Sequence, residues 1–213
     1  MSTQLACAQT QSHLTDKQLQ NLMPDFQRQV EYWNQYEEPE RQNEARAFAE
    51  NWSRRAPAVA PFLGSWSGWE ETMNIYPSTT DGQACIIYTS EPEANFRLGN
   101  IRNQRIYTDR GEVIFQQGNY VGVAWSHNKE ADIEAGVNVY RLIAPSEVPT
   151  RESLKYWSEG SRILEQFKAA GCMSEASKRH SSLLEDAYWL RAELTAANSG
   201  SPTIHSHPRR TRK

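Results

Sequence analysis

The stretch from Gly64 to Ile143 constrains this chain most. It is rich in β-branched and aromatic residues and is cut at short intervals by turn signals: Asp81-Gly82, Arg110-Gly111 and Gly118-Asn119. Glycine supplies the positive φ that tight hairpin turns need, so such pairs separate strands. Seven runs lie between the signals: Trp66–Tyr76, Gln83–Thr89, Asn95–Ile101, Gln104–Thr108, Glu112–Gln116, Tyr120–Ser126 and Gly136–Ile143. Connections this short join antiparallel neighbours, because parallel strands need long crossovers. The expectation is an antiparallel meander that closes into a small barrel or is covered by helices, either of which removes exposed edges.

The flanks follow a different period. Thr15-Asp16-Lys17-Gln18 has the form of a capping box. Apolar residues then recur at Leu19, Leu22, Met23, Phe26, Val30 and Trp33, one face of a helix. Pro24 either kinks that helix or begins a second one. A shorter stripe of Ala45, Phe48, Ala49 and Trp52 follows Pro39 and ends before Pro57. After Pro149-Thr150, a helix carries Leu154, Trp157, Ile163, Leu164 and Phe167 to Gly171; a second begins at Ser174 and carries Leu183 through Leu194. The fold class is therefore α+β. Its segments are a lead-in (1–13), N-terminal helices (14–56), a β core (62–145), a C-terminal helical hairpin (149–198) and a basic tail (199–213).

Charge and cysteines narrow the function classes. The tail holds Arg209, Arg210, Arg212 and Lys213. Without these four, 19 cations face 26 acids, and a body of −7 does not attract phosphate backbones. Cys7, Cys85 and Cys172 are odd in number and far apart, with no C-x-x-C, so no disulfide framework or zinc spacing is legible. Cys85, inside an apolar run, reads as a buried inert thiol, and the expected location is cytoplasmic. No apolar run approaches the ~18 residues of a membrane span. His205 and His207 supply two metal ligands, too few for a closed site. No metal, cofactor or complete catalytic set is expected; Gly64-Ser65-Trp66-Ser67-Gly68 has tryptophan where a nucleophile elbow needs serine.

Gly64-x-Trp66, at the start of the first strand after a helical lead-in, resembles the opening motif of the calycin superfamily, which includes lipocalins. The resemblance implies a small barrel over about residues 62–143, closed at one end by Trp66. It also implies an arginine of the last strand packed on that indole; Arg141 fills the role. Trp66, Trp69, Tyr88, Tyr107, Trp125 and Arg141 are accordingly the candidate ligand-binding or barrel-closing residues. The leading functional expectation is a non-enzymatic binding or assembly module. It would present aromatic surface to a protein partner or enclose a small apolar ligand. The alternative is single-stranded nucleic-acid binding through Arg97, Arg102, Arg105 and Arg110, interleaved with Phe96, Tyr107 and Phe115. An enzyme with dispersed catalytic residues is the third option, since such groups are recognised by geometry rather than by adjacency.

Overall fold

A computed structural model describes residues 13–36, 39–129, 132–147 and 149–172. All of them belong to the first of two units into which the chain divides, 1–174 and 175–213. The expected helix from Ser174 and the basic tail, with His205 and His207, lie outside the described residues.

Eight antiparallel strands close into a barrel in sequence order. They are β1 (Gly64–Ser67), β2 (Thr72–Pro77), β3 (Gln83–Ser90), β4 (Glu93–Arg102), β5 (Arg105–Thr108), β6 (Val113–Gln117), β7 (Tyr120–Lys129) and β8 (Asp132–Ala144). β8 returns to pair with β1, through Trp66 opposite Leu142 and Ser67 opposite Arg141. The run expected as one strand, Trp66–Tyr76, is a hairpin. It turns at Gly68, whose N–H donates to the Glu71 carbonyl at 2.9 Å. Trp69 and two glutamates give that turn no Asx-Gly signal. Asn103 and Gln104 likewise turn β4 into β5 with φ of 50° and 57° and no glycine.

Alternation sorts each strand into an inner and an outer face. The inner face of one barrel end is a packed floor. Trp66, Met73, Ile75, Ile86, Ile106 and Ile114 are all fully buried there. A single 3-10 turn, Ala60–Phe62, plugs that end, and the Trp66 indole N–H donates to the Phe62 carbonyl at 2.8 Å. Gly64 has φ of 143°, and a Cβ there would sit 2.6 Å from Leu142 Cδ1. The motif thus combines a glycine that lets β1 approach β8 with a tryptophan that seals the end.

Helices cover the outer face. α1 (Asp16–Trp33) starts at the expected capping box and runs through Pro24 without a break. Its Leu19, Leu22 and Phe26 pack on Val113, Tyr120, Ala124, Val137 and Val139. α2 (Pro39–Trp52) follows. The expected helix after Thr150 is two pieces, α3 (Arg151–Leu154) and α4 (Gly160–Ala169). Glu159 between them is left-handed, and Gly160 lies so close to the Leu154 carbonyl that a Cβ would meet it at 2.1 Å.

The cysteine expectation is corrected: Cys85 and Cys172 form a disulfide. Cys85 points outward from β3, beside Ile87. α4 lies on that wall through Ile163 and Phe167 and delivers Cys172 to it. A separation of 87 residues hides the pair from any spacing rule. The cytoplasmic expectation rested on unpaired cysteines and loses that basis. Among the described residues, no helix is long and apolar enough to cross a membrane.

Candidate binding pocket in the barrel mouth

The turns β1–β2, β3–β4, β5–β6 and β7–β8 all lie at the end opposite the floor. There the inner face changes character. Two residues above Ile86, β3 places Tyr88; beside it β4 places Asn95 and Arg97. β7 contributes Val123 and Trp125, and β8 contributes Asn138 and Tyr140. With Glu71, Arg110 and Glu112 from the turns, these side chains line a cavity of about 630 Å³. That volume falls within the range of small-molecule sites, about 300–1,000 Å³.

The lining is polar: Arg97 and Tyr140 are buried, Tyr88, Glu112 and Trp125 are half-buried, and Asn138 and Arg110 are exposed. The Tyr140 hydroxyl donates to the Glu71 carboxylate. Burial, with Glu71 alongside, pushes that phenol well above its ordinary range. Burial also raises the Glu112 carboxyl, against the lowering pull of Arg97 and a hydrogen bond from the Thr108 hydroxyl at 3.1 Å. Arg97 is only 8% exposed, and desolvation lowers its guanidinium. Its Nη1 donates to the Phe96 carbonyl at 3.1 Å, whereas its Nε stands 4.0 Å from Glu112 and makes no hydrogen bond. The Tyr88 hydroxyl, also buried, has no partner either. Each unmade buried hydrogen bond costs about 1–3 kcal/mol, so this end of the barrel is built at some expense to stability. Trp125 lies flat over Gly136, where a Cβ would meet the indole at 2.4 Å. Only glycine leaves room for the ring in that position.

The structure separates the residues singled out from sequence. Trp66 is in the floor, Tyr88 and Trp125 line the cavity, and Trp69 stands 62% exposed on the β1–β2 turn. Tyr107 is on the outer wall, with the Arg102 guanidinium 4.0 Å from its ring centroid. Arg141 does not pack on Trp66. Leu142 is the residue opposite that indole, so Arg141, one position earlier, faces outward. Its guanidinium lies 5.8 Å from the Trp33 ring centroid and donates to the Tyr36 carbonyl. The four arginines proposed for nucleic acid do not share a face. Arg97 is inside the barrel and Arg110 is at its mouth, while Arg102 covers Tyr107 and Arg105 pairs with Asp16 on α1.

Sequence reasoning did not single out Glu71, Glu112, Asn138 or Tyr140 as cavity residues. Asn138 and Tyr140 alternate with Val137 and Val139, which pack under α1. Polar residues alternating with valines pointed to two distinct faces, but not to which face was inner. Among the described residues, no cluster of His, Cys, Asp and Glu could hold a metal ion. Comparison of the chain with protein-family models, curated proteins and solved structures finds no match.

Proposed function

We propose that this protein is a non-enzymatic binding protein that takes a small, planar, polar molecule into the mouth of its barrel. The observation that carries the reading is the division of the barrel interior: a filled apolar floor beneath a cavity of about 630 Å³ lined by Tyr88, Arg97, Glu112, Trp125, Asn138 and Tyr140. A barrel that served only as a scaffold would gain stability by filling this space with apolar side chains. The polar lining replaces the apolar ligand expected from the resemblance with one that hydrogen-bonds. Three rings on the walls favour a flat body.

The test is a thermal-shift screen of the full chain against planar heteroaromatic and phenolic compounds, followed by fluorescence titration of the hits. A true ligand raises Tm and quenches tryptophan emission, and Trp125→Phe removes most of the quench while Trp69→Phe does not. If no compound raises Tm, or if the response ignores Trp125→Phe, the reading is wrong.

A second reading concerns the outer surface. Tyr32 of α1 stacks on Trp69 at 5.0 Å, and Tyr36 lies 5.6 Å from Tyr32. All three rings are exposed, the arrangement expected of an aromatic patch that meets a protein partner. Light scattering tests self-association: Trp69→Ala lowers the mass if a second copy covers the patch, and an unchanged monomer rules that out.

A further inference from the structure

The carboxylates of the cavity are spread round its wall, and they outnumber the cations. Glu71, Glu91, Glu93 and Glu112 line it against two guanidiniums, Arg97 and Arg110. The guanidiniums are answered where they stand: Glu112 and Asp109 both act on Arg97, and Arg110 acts on Glu112. Glu71, Glu91 and Glu93 have no such counterpart. Glu71 accepts from the Tyr140 hydroxyl, a neutral donor that leaves the carboxylate its charge. Glu93 lies opposite Ser90 on the same inward row of β4 as Asn95 and Arg97. Glu91 is on the β3–β4 turn, and both it and Glu93 are exposed. Among the described residues, no ion pair reaches any of the three.

An anion would meet this excess as repulsion. A metal ion would need ligands that converge, and among the described residues no group of His, Cys, Asp and Glu does so. The arrangement suits a positive charge carried on an organic body, because a cleft walled by protein focuses the field of the charges around it. Trp125 supplies the matching surface. Its indole is half-buried on the cavity wall, and of the aromatic side chains indole attracts cations most strongly. The Tyr88 ring already has the Arg97 guanidinium carbon 5.9 Å from its centroid. We infer that the ligand is a planar organic cation, seated against Trp125 in the field of Glu71, Glu91 and Glu93. The inference rests on the small-molecule reading above and adds the sign of the ligand's charge.

The experiment uses benzamidine, benzamide and benzoate, which share one planar shape and carry a positive charge, none and a negative charge. Binding of each to the full chain is followed by calorimetry and tryptophan fluorescence. Benzamidine is expected to bind at least about tenfold tighter than benzamide at low salt, with benzoate the weakest. The margin narrows as salt is raised, because the rim carboxylates are exposed and therefore screened. Glu71→Gln combined with Glu93→Gln cuts the margin to about threefold or less and leaves benzamide where it was. Arg110→Gln works in the opposite direction: it takes an exposed cation from the mouth and tightens benzamidine. Should Glu71→Gln fail to fold, Glu91→Gln with Glu93→Gln, both at exposed positions, takes its place. Benzamide or benzoate binding as tightly as benzamidine would overturn the cation while leaving the pocket reading intact, and so would a margin unmoved by the charge substitutions. If none of the three binds, the inference falls, and the thermal-shift screen decides the pocket reading separately.

Discussion

The two ends of the barrel interior are built from the same strands and behave as different materials. β3 gives Ile86 to the floor and Tyr88 to the mouth; β8 gives Leu142 to one and Tyr140 and Asn138 to the other. At the floor Trp66, Met73, Ile75, Ile86, Ile106 and Ile114 are apolar and fully buried. At the mouth, two residues further along, the side chains are polar, two are short of partners, and a cavity remains. Strand pairing is continuous across the boundary, so the difference lies wholly in side chains. One end stabilises the fold, and the other gives up part of that stability to unpartnered buried polar atoms around an open space.

Four variants press on that division. The largest effect is expected at the floor: Trp66→Ala removes the sealing indole and its hydrogen bond to Phe62, and should cost about 3–5 kcal/mol in chemical denaturation. A loss below about 1 kcal/mol would mean the floor is not the stabilising end. The outer wall supplies a calibration. Cys85→Ala breaks the link to Cys172 and should cost about 2–4 kcal/mol, with the deficit vanishing when both proteins are measured in reductant. At the mouth the losses shrink. Tyr140→Phe deletes one charge-assisted hydrogen bond and should cost about 1.5–3 kcal/mol, less than Trp66→Ala in the same assay. A larger loss than at the floor would reverse the division.

The smallest effect is in pH dependence. Burial raises the folded-state value of Glu112 above its unfolded value, so the folded protein holds that proton more tightly. Its contribution to stability is full below the unfolded value and is lost as pH rises through the raised folded value. Wild type should therefore lose stability across that weakly acidic window relative to Glu112→Gln. Parallel Tm curves for the two proteins would show that burial does not perturb Glu112.

Much of the architecture was legible because it depends on local signals. Asp81-Gly82, Arg110-Gly111 and Gly118-Asn119 all fall at hairpin turns, and the stripe of Leu19, Leu22 and Phe26 is the buried face of α1. The first hairpin escaped because Gly68 stands between Trp66 and Trp69 with no Asp or Asn beside it, so the run reads as continuous strand. The candidate site was half legible. Trp66, Tyr88 and Trp125 stood out as bulky rings on strands, but the polar groups between them did not. Glu112 follows a turn glycine and reads as surface. On β8, Val137, Val139 and Tyr140 are all buried, so the alternation marked two faces without announcing which was inward. Arg141 went to the wrong face because a shift of one residue reverses a strand's two sides. The disulfide depends on α4 folding back to β3, which no local pattern encodes.

Closure of the sheet has a consequence for how this molecule can meet others. With β8 hydrogen-bonded to β1 from Arg141 onward the ring closes, and just short of that pairing Gln29 of α1 caps the β8 edge, donating to the Val137 carbonyl at 2.9 Å and accepting from the Val139 N–H at 3.3 Å. Where the edges are closed or capped in this way, a foreign strand finds no free ladder to join. The same arrangement guards a β-rich, aromatic-rich chain against zipping to its own copies, a hazard that open sheets must deter with charges or proline.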